Sequence, residues 1–319
     1  SNGLETKTER GRRVFPLSDK AFDVTTTLQK ICAKNKVKVI VGEVFDLIIE
    51  NNVCIGAKYK SNGETCTING DAVILATGGA SYPKTGSDGF GYELARRAGH
   101  TIVPIKPSLV PLESVEKYCA ELMGLSLKNV KISFFEKDKL IYSDMGEMLF
   151  THFGVSGPMI LSASAYIKSF PVQMNIDLKP ALDERTLENR IINDFLLFKN
   201  KVFENSLDKL LPKAMIPVFV RLCGINARKE VNSITKEERR EIVKLMKCFP
   251  ITIKSARPID EAVITSGGVS VSEINPSSMQ SKIAKNLYFA GEIIDVDAYT
   301  GGYNLQIAFS TGHLAGKTL

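Results

Sequence analysis

In AGEIIDVDAYTGGYNLQIAFSTGH, residues 290–313, the glycine pair Gly301-Gly302 stands directly before a stretch with helical spacing, LQIAFSTGHLAGKT. If the helix opens at Asn304 or a neighbour, the N–H groups of its first turn lack acceptors within the helix. Together with the helix dipole they favour an electron-rich group. The two glycines remove Cβ from the approach path, and Ala308, Gly312 and Gly316, four apart, offer a bare helix face for close packing. Glu292, one residue past Gly291, is placed to accept hydrogen bonds from hydroxyls. Together these features suit a flat heterocycle with a polyol tail; a tight turn before a closely packed helix accounts for them equally well. Asp295 and Asp297 form a D-x-D pair, but no His or Glu cluster accompanies them, so a loop role is expected and no metal site.

This loop is positioned by NLYFAGE (286–292), a nearly all-apolar run that ends in small residues. DAVILA (71–76) is a second such run and stops at Thr77-Gly78-Gly79. Both read as strands covered on two faces, and in an open α/β sheet ligands bind beyond the carboxyl ends of such strands. The first third also holds a helix in FDVTTTLQKICAKNK, with Leu28, Ile31 and Cys32 on one face. Strand sequence follows in VKVIVGEVFDLIIE and NNVCIGAKYK, then the turn SNGE. From Pro104 the texture changes. Proline-punctuated and β-like runs (LKNVKISFFE, KLIYSD, EMLFTHF, VQMNIDL) predict an antiparallel sheet or small barrel. Three helical stretches come next. DERTLENRIINDFLLF has Asp183 as cap and Leu187, Ile191, Phe195 and Phe198 as a stripe; TKEERREIVKLMKCF has the capping-box pair Thr235 and Glu238 and a face of Ile242, Leu245, Met246 and Phe249. Strands resume at ITIKSARP and EAVITSGGVSVSEI.

With 319 residues, 44% of them apolar and 24% charged, the chain can bury a full core, and its length suggests about two domains. The net charge of +6 is scattered, which favours a solvated surface over a nucleic-acid patch; the densest basic run, Arg10–Arg13, lies at the start. Six cysteines without a C-x-x-C pair fit a reducing cytoplasm. No apolar run approaches the roughly 18 residues of a membrane helix, and SNGLETKTERGRR is no signal peptide. Ser1-Asn2 reads as a cloning remnant.

GRRVFPLSDKAFDV, ILATGGASYPKTGSDGFGYELARRAGH, FTHFGVSGPMIL, EAVITSGGVSVSEINPSSMQSKI and LYFAGEIIDVDAYTGGYNLQIAFSTG, in that order, resemble the aminoacetone-oxidase-like family of FAD-binding flavoproteins. That family is described as NAD(P)/FAD-dependent oxidoreductases and includes reductases of bile-acid intermediates. A lone ATGG would be weak; five stretches in series from about Gly11 onward are specific. The resemblance implies an α/β fold: a Rossmann-like FAD-binding domain of the glutathione-reductase type over 1–106 and 273–319. It also implies an inserted β-barrel-like domain over 107–180 and 250–272, and a helical subdomain over 181–249. It puts Gly291 and Glu292 beside the ribityl chain and pyrophosphate, Gly302, Asn304 and Leu305 at the flavin pyrimidine edge, and Thr77, Gly78 and Gly79 along the cofactor's midsection, with Gly301 also among the cofactor-binding residues. Val44, after the strand VKVIVGE, matches the position that meets adenine, although plain strand core serves as well for its side chain. His152 falls near the family's cleft and Tyr303 near the flavin face. They are the candidate catalytic residues, each with an ordinary packing or hydrogen-bonding role as the alternative. Lys84 and Tyr299 lie nearby, while His100 and His313 carry no signal.

The implied activity passes hydride from NAD(P)H through FAD to a small organic substrate, in the cytoplasm, without membrane or nucleic-acid partner. The alternatives are a flavin-dependent RNA-modifying protein and a flavin-binding module without turnover. One departure stands out. The strand, G-x-G-x-x-G turn and helix that open such domains do not precede Gly11, and GSDGFG (86–91) has the wrong spacing and caps the helix YELARRAG instead. The expectation is a truncated domain lacking its first βαβ unit, weak in FAD binding and inactive, with an exposed sheet edge open to self-association.

Overall fold

The computed structural model describes residues 3–319, apart from the side chain of Arg10; Ser1 and Asn2 lie outside the described residues. The chain forms two compact units. One comprises Ser1–Gly79, Gly89–Pro104 and Gly267–Leu319, the other Ala80–Asp88 and Ile105–Ser266. The strands Ile102–Ser108 and Ile264–Val269 pair with each other, and the chain passes from unit to unit within them.

In the first unit, Val73–Leu75 pairs in parallel with Leu287–Phe289, in the register Val73↔Leu287, Ile74↔Tyr288, Leu75↔Phe289. Leu75, Leu287 and Phe289 are buried, as a parallel pair requires, but Ile74 is 37% exposed. The expectation of cover on both faces therefore holds for only one of them. A second correction concerns VKVIVG. Residues 37–42 form no strand, and Val39 and Val41 are 80% and 87% exposed. An apolar run becomes a strand when a neighbouring strand pairs with its backbone and a face covers it; among the described residues no strand ladder includes this run, and its valines stay exposed. The strand begins instead at Glu43 and runs to Glu50, antiparallel to Val53–Ser61, which in turn pairs with Glu64–Asn69. Helix Ala21–Lys34 buries no residue completely.

In the second unit, six strands close into a barrel in the order Lys139–Phe150, Gly154–Ser156, Leu112–Ser114, Phe249–Ala256, Val172–Asp177, Ser126–Glu136. Alternation decides its inside: Ile132, Phe134, Met174, Ile176, Ile251 and Ile253 are fully buried. Residues 181–249 differ from the barrel in secondary structure yet share its core, since Leu187, Ile191, Phe219, Ile242 and Met246 join the same apolar cluster. Both expected caps form. Asp183 accepts from the Thr186 amide at 2.7 Å, and Thr235 and Glu238 exchange backbone-to-side-chain bonds of 2.7 and 3.2 Å; such caps contribute roughly 1 kcal/mol each. The loop Ala80–Asp88 groups with this unit, where the Ala80 amide donates to Thr265 Oγ1 at 2.8 Å. No helix among the described residues is long and apolar enough to cross a membrane.

Candidate functional site

Two strand ends and one helix start meet in the first unit. The Ala290 amide donates to the Leu75 carbonyl at 3.1 Å, which keeps the two parallel strands together to their last residues. Past them the backbone turns at Gly78 (φ 73°) and Gly291 (φ 78°), conformations that only glycine adopts freely. The Gly291 amide donates to Thr311 Oγ1 at 2.9 Å, tying this turn to the C-terminal helix Tyr303–Lys317. Gly302 is the helix N-cap at φ 93°, preceded by Gly301 at φ 117°. A Cβ built on Gly302 would meet nothing within 4 Å, so the space before the helix is open. The helical ladder begins with the Gln306 amide donating to the Gly302 carbonyl at 3.0 Å. The N–H groups of Tyr303, Asn304 and Leu305 precede it and have no acceptor within the helix.

Several expected site residues have different surroundings from those the sequence suggested. The Asn304 side chain is engaged: its Oδ1 accepts from the Ala298 amide at 2.9 Å and its Nδ2 donates to the Ala298 carbonyl at 2.8 Å. It clamps the loop before the helix, leaving its backbone N–H as the group available to a ligand. Val44 lies within the strand Glu43–Glu50, opposite Tyr59, rather than after a strand. The Ala308-Gly312-Gly316 face is close to a neighbour at one end, where Ala308 Cβ lies 3.7 Å from the place a Cβ on Gly291 would take, while added Cβ atoms at Gly312 and Gly316 would have no neighbour within 4 Å. Leu305 and Phe309, on the same stripe, are 64% and 52% exposed. Burial, then the nearby Asp297 carboxylate, push the Asp295 carboxyl above its ordinary range. Of the two candidate catalytic residues, Tyr303 is exposed at the helix start in the first unit, with its ring near Gly301, and His152 is exposed in the second unit.

His152 has a built support. Its ring meets Phe153 edge-on at 4.9 Å, and the Arg257 guanidinium lies 4.7 Å over the Phe153 ring. Arg257 also donates to Glu113 at 2.6 Å and to Glu261 through Nε at 2.9 Å, which holds both carboxyls below their usual range.

Two residues that sequence reasoning passed over matter here. Gly91, in helix Phe90–Arg97, lies so close to Thr77 that a Cβ would come within 1.8 Å of Thr77 Oγ1. The signal was a glycine inside a helical pattern, which marks close packing. His100 is buried, with Nδ1 3.2 Å from Glu273 and Nε2 2.8 Å from Ser281 Oγ, and it packs edge-on against Phe289 of the parallel pair. Burial lowers its pKa, with Glu273 opposing. The folded protein thus binds this proton less readily than the unfolded chain, whose histidines titrate near ~6.5. This contribution is complete above that pH and is lost as pH falls through and below it. Melting temperature is expected to drop between pH 7 and 5.5, and to drop less in His100→Gln. Equal slopes for the two proteins would show that another group titrates.

The model of the family described as HI0933-like protein Rossmann domain matches residues 1–318. The 3-dehydro-bile acid delta(4,6)-reductase of Clostridium scindens is 29% identical over 99% of this chain and 77% of its own length. The ribosomal RNA dihydrouridine synthases of Haemophilus influenzae and Escherichia coli are 31% and 27% identical over 76% and 79% of the chain. The chain spans 58% and 62% of those two enzymes. A parallel strand pair ending in glycine turns against a helix N-terminus is what a Rossmann-type site requires, and the match extends over nearly every residue: the chain belongs to the HI0933-like Rossmann-domain family.

Proposed function

We propose that this protein is an FAD-dependent reductase of the aminoacetone-oxidase-like type, delivering hydride from NAD(P)H to a carbon–carbon double bond conjugated to a carbonyl. The observation that carries this is the open, Cβ-free approach to the first turn of helix Tyr303–Lys317, beside the ends of two parallel strands. The names of the relatives support the bond type. A 3-dehydro-bile acid delta(4,6)-reductase and a dihydrouridine synthase are both named for adding hydrogen across a double bond.

FAD bound there supplies hydride transfer to carbon. Gly78, Gly79 and Gly291 let the backbone approach the cofactor's midsection, and Glu292 accepts from its hydroxyls. Gly301 and Gly302 clear the path to the N–H groups of Tyr303, Asn304 and Leu305, which favour negative charge at the ring edge. Tyr303 and His152 are the candidate proton donors or substrate contacts. The apolar side chains of Val39, Val41, Ile74, Leu305 and Phe309 are exposed in the same unit.

The test is the visible spectrum of the protein with FAD in excess, before and after anaerobic addition of NADH or NADPH and then of a cyclic enone. Bleaching by a nicotinamide and recovery with the enone are expected. Spectra that never depart from those of free FAD would end the proposal, and bleaching without recovery would favour a module or a different acceptor. RNA as the substrate is a second reading, favoured by the two ribosomal RNA enzymes among the relatives and by the barrel face described next.

A further inference from the structure

The outer wall of the barrel carries a row of side chains that the core does not use. Phe135, Gln173 and Thr252 are direct cross-strand neighbours on three adjacent strands, in the registers Phe135↔Gln173 and Gln173↔Thr252. Their sequence neighbours Phe134, Met174, Ile251 and Ile253 point inward and are fully buried, so alternation sends this row outward. Asn175 stands one row further along the same strand, opposite Ser133. With Lys137, Asp138, Pro171 and Val172 these residues line a groove of about 460 Å³, within the size range of small-molecule sites.

The chemistry of the groove is specific. Phe135 is half-buried and offers an aromatic surface. The Gln173 amide is spent in part on Thr252 Oγ1 and the Met174 carbonyl, both at 3.3 Å. The side-chain carboxamide of the half-buried Asn175 makes no hydrogen bond among the described residues. A primary amide presents a donor and an acceptor side by side, the complement of the N–H and C=O edge of a uracil-like ring. Lys137 and Asp138 form a two-residue hairpin turn at φ 47° and 66°, which brings one ammonium and one carboxylate to the mouth.

We propose that this face binds a nucleobase of single-stranded RNA, with the base against Phe135, its edge read by Asn175 and Gln173, and a phosphate near Lys137. The proposal rests on RNA being the substrate. An aromatic on an exposed sheet with amides beside it is how sheet platforms take unstacked bases.

The probe is a fluorescein-labelled, uridine-rich single-stranded RNA 12-mer, titrated with the full chain and read by anisotropy at several salt concentrations. Phe135→Leu and Asn175→Ala are each expected to weaken binding about five- to 150-fold, the range that one base contact spans. Lys137→Glu is expected to flatten the salt dependence by about 0.7 in the log–log slope. Thermal melts check that each variant is folded. If the wild type binds and all three folded variants bind equally well, the groove is not the site, while RNA as substrate stands. Equal affinity for duplex RNA or for a neutral oligosaccharide also overturns the groove assignment. No binding by the wild type at 50 mM salt, a probe condition of about 14 Å screening length, overturns both.

Discussion

Gly302→Val is expected to lower FAD affinity about a hundredfold while leaving the fold intact. The residue sits at φ 93° and ψ 0°, where a β-branched side chain is strained by about 1–3 kcal/mol. An added Cβ meets nothing within 4 Å, so the variant suffers no clash and the barrel core is untouched. Two effects on the ligand add together. The strained residue pulls the helix start out of its geometry, misdirecting the N–H groups of Tyr303, Asn304 and Leu305, and the isopropyl group enters the space the heterocycle needs. A hundredfold loss is about 2.7 kcal/mol, within reach of the two combined. Titration with FAD, alongside a thermal melt, measures it. Gly302→Ala should fall between wild type and valine, because it carries the backbone strain with less bulk. Wild-type affinity in the valine variant would mean that the flavin lies elsewhere.

The second large effect is expected at Gly91. Helix propensity alone favours Gly91→Ala by about 1 kcal/mol. The structure reverses the sign, because the new Cβ would lie 1.8 Å from Thr77 Oγ1, 2.8 Å from Thr77 Cβ and 3.1 Å from Ile293 Cδ1. Overpacking of this kind costs about 1–3 kcal/mol, which corresponds to a fall of about 2–5 °C in melting temperature for a chain of this size. Relief can come only by moving the helix or by moving Thr77, and Thr77 begins the turn assigned to the cofactor's midsection. FAD affinity should therefore fall together with stability. Thr77→Gly in the Gly91→Ala background removes both near atoms and should recover most of the melting temperature; Thr77→Ala, which keeps Cβ, should recover less. Additive losses in that cycle would show that the two positions do not touch.

How much of this was legible beforehand divides along a physical line. Local chemistry was readable. Asp183 and the Thr235–Glu238 box cap the helices expected of them, the alternating runs after Pro104 form antiparallel strands, and DAVILA and NLYFAGE each hold a strand. Caps and alternation depend on neighbours a few residues apart, so composition and spacing determine them. The glycine turn before helix Tyr303–Lys317 was legible for the same reason.

Tertiary structure decided the rest. VKVIVG has the makings of a strand and forms none, since a strand exists only with a partner ladder. The Ala308-Gly312-Gly316 face invites close packing and has no close neighbour at its glycines. Asn304 gives its amide to Ala298, six residues back, instead of holding it for a ligand. His100 carried no signal as the residue after a helix, yet it is enclosed by Glu273, Ser281 and Phe289, more than 170 positions away in the chain. Contacts across such separations depend on how the chain returns on itself, and no local pattern encodes which distant residue will arrive. The chain by itself determined which segments could be helix, strand or turn; only the folded packing decided which of them found partners and which side chains remained available for chemistry.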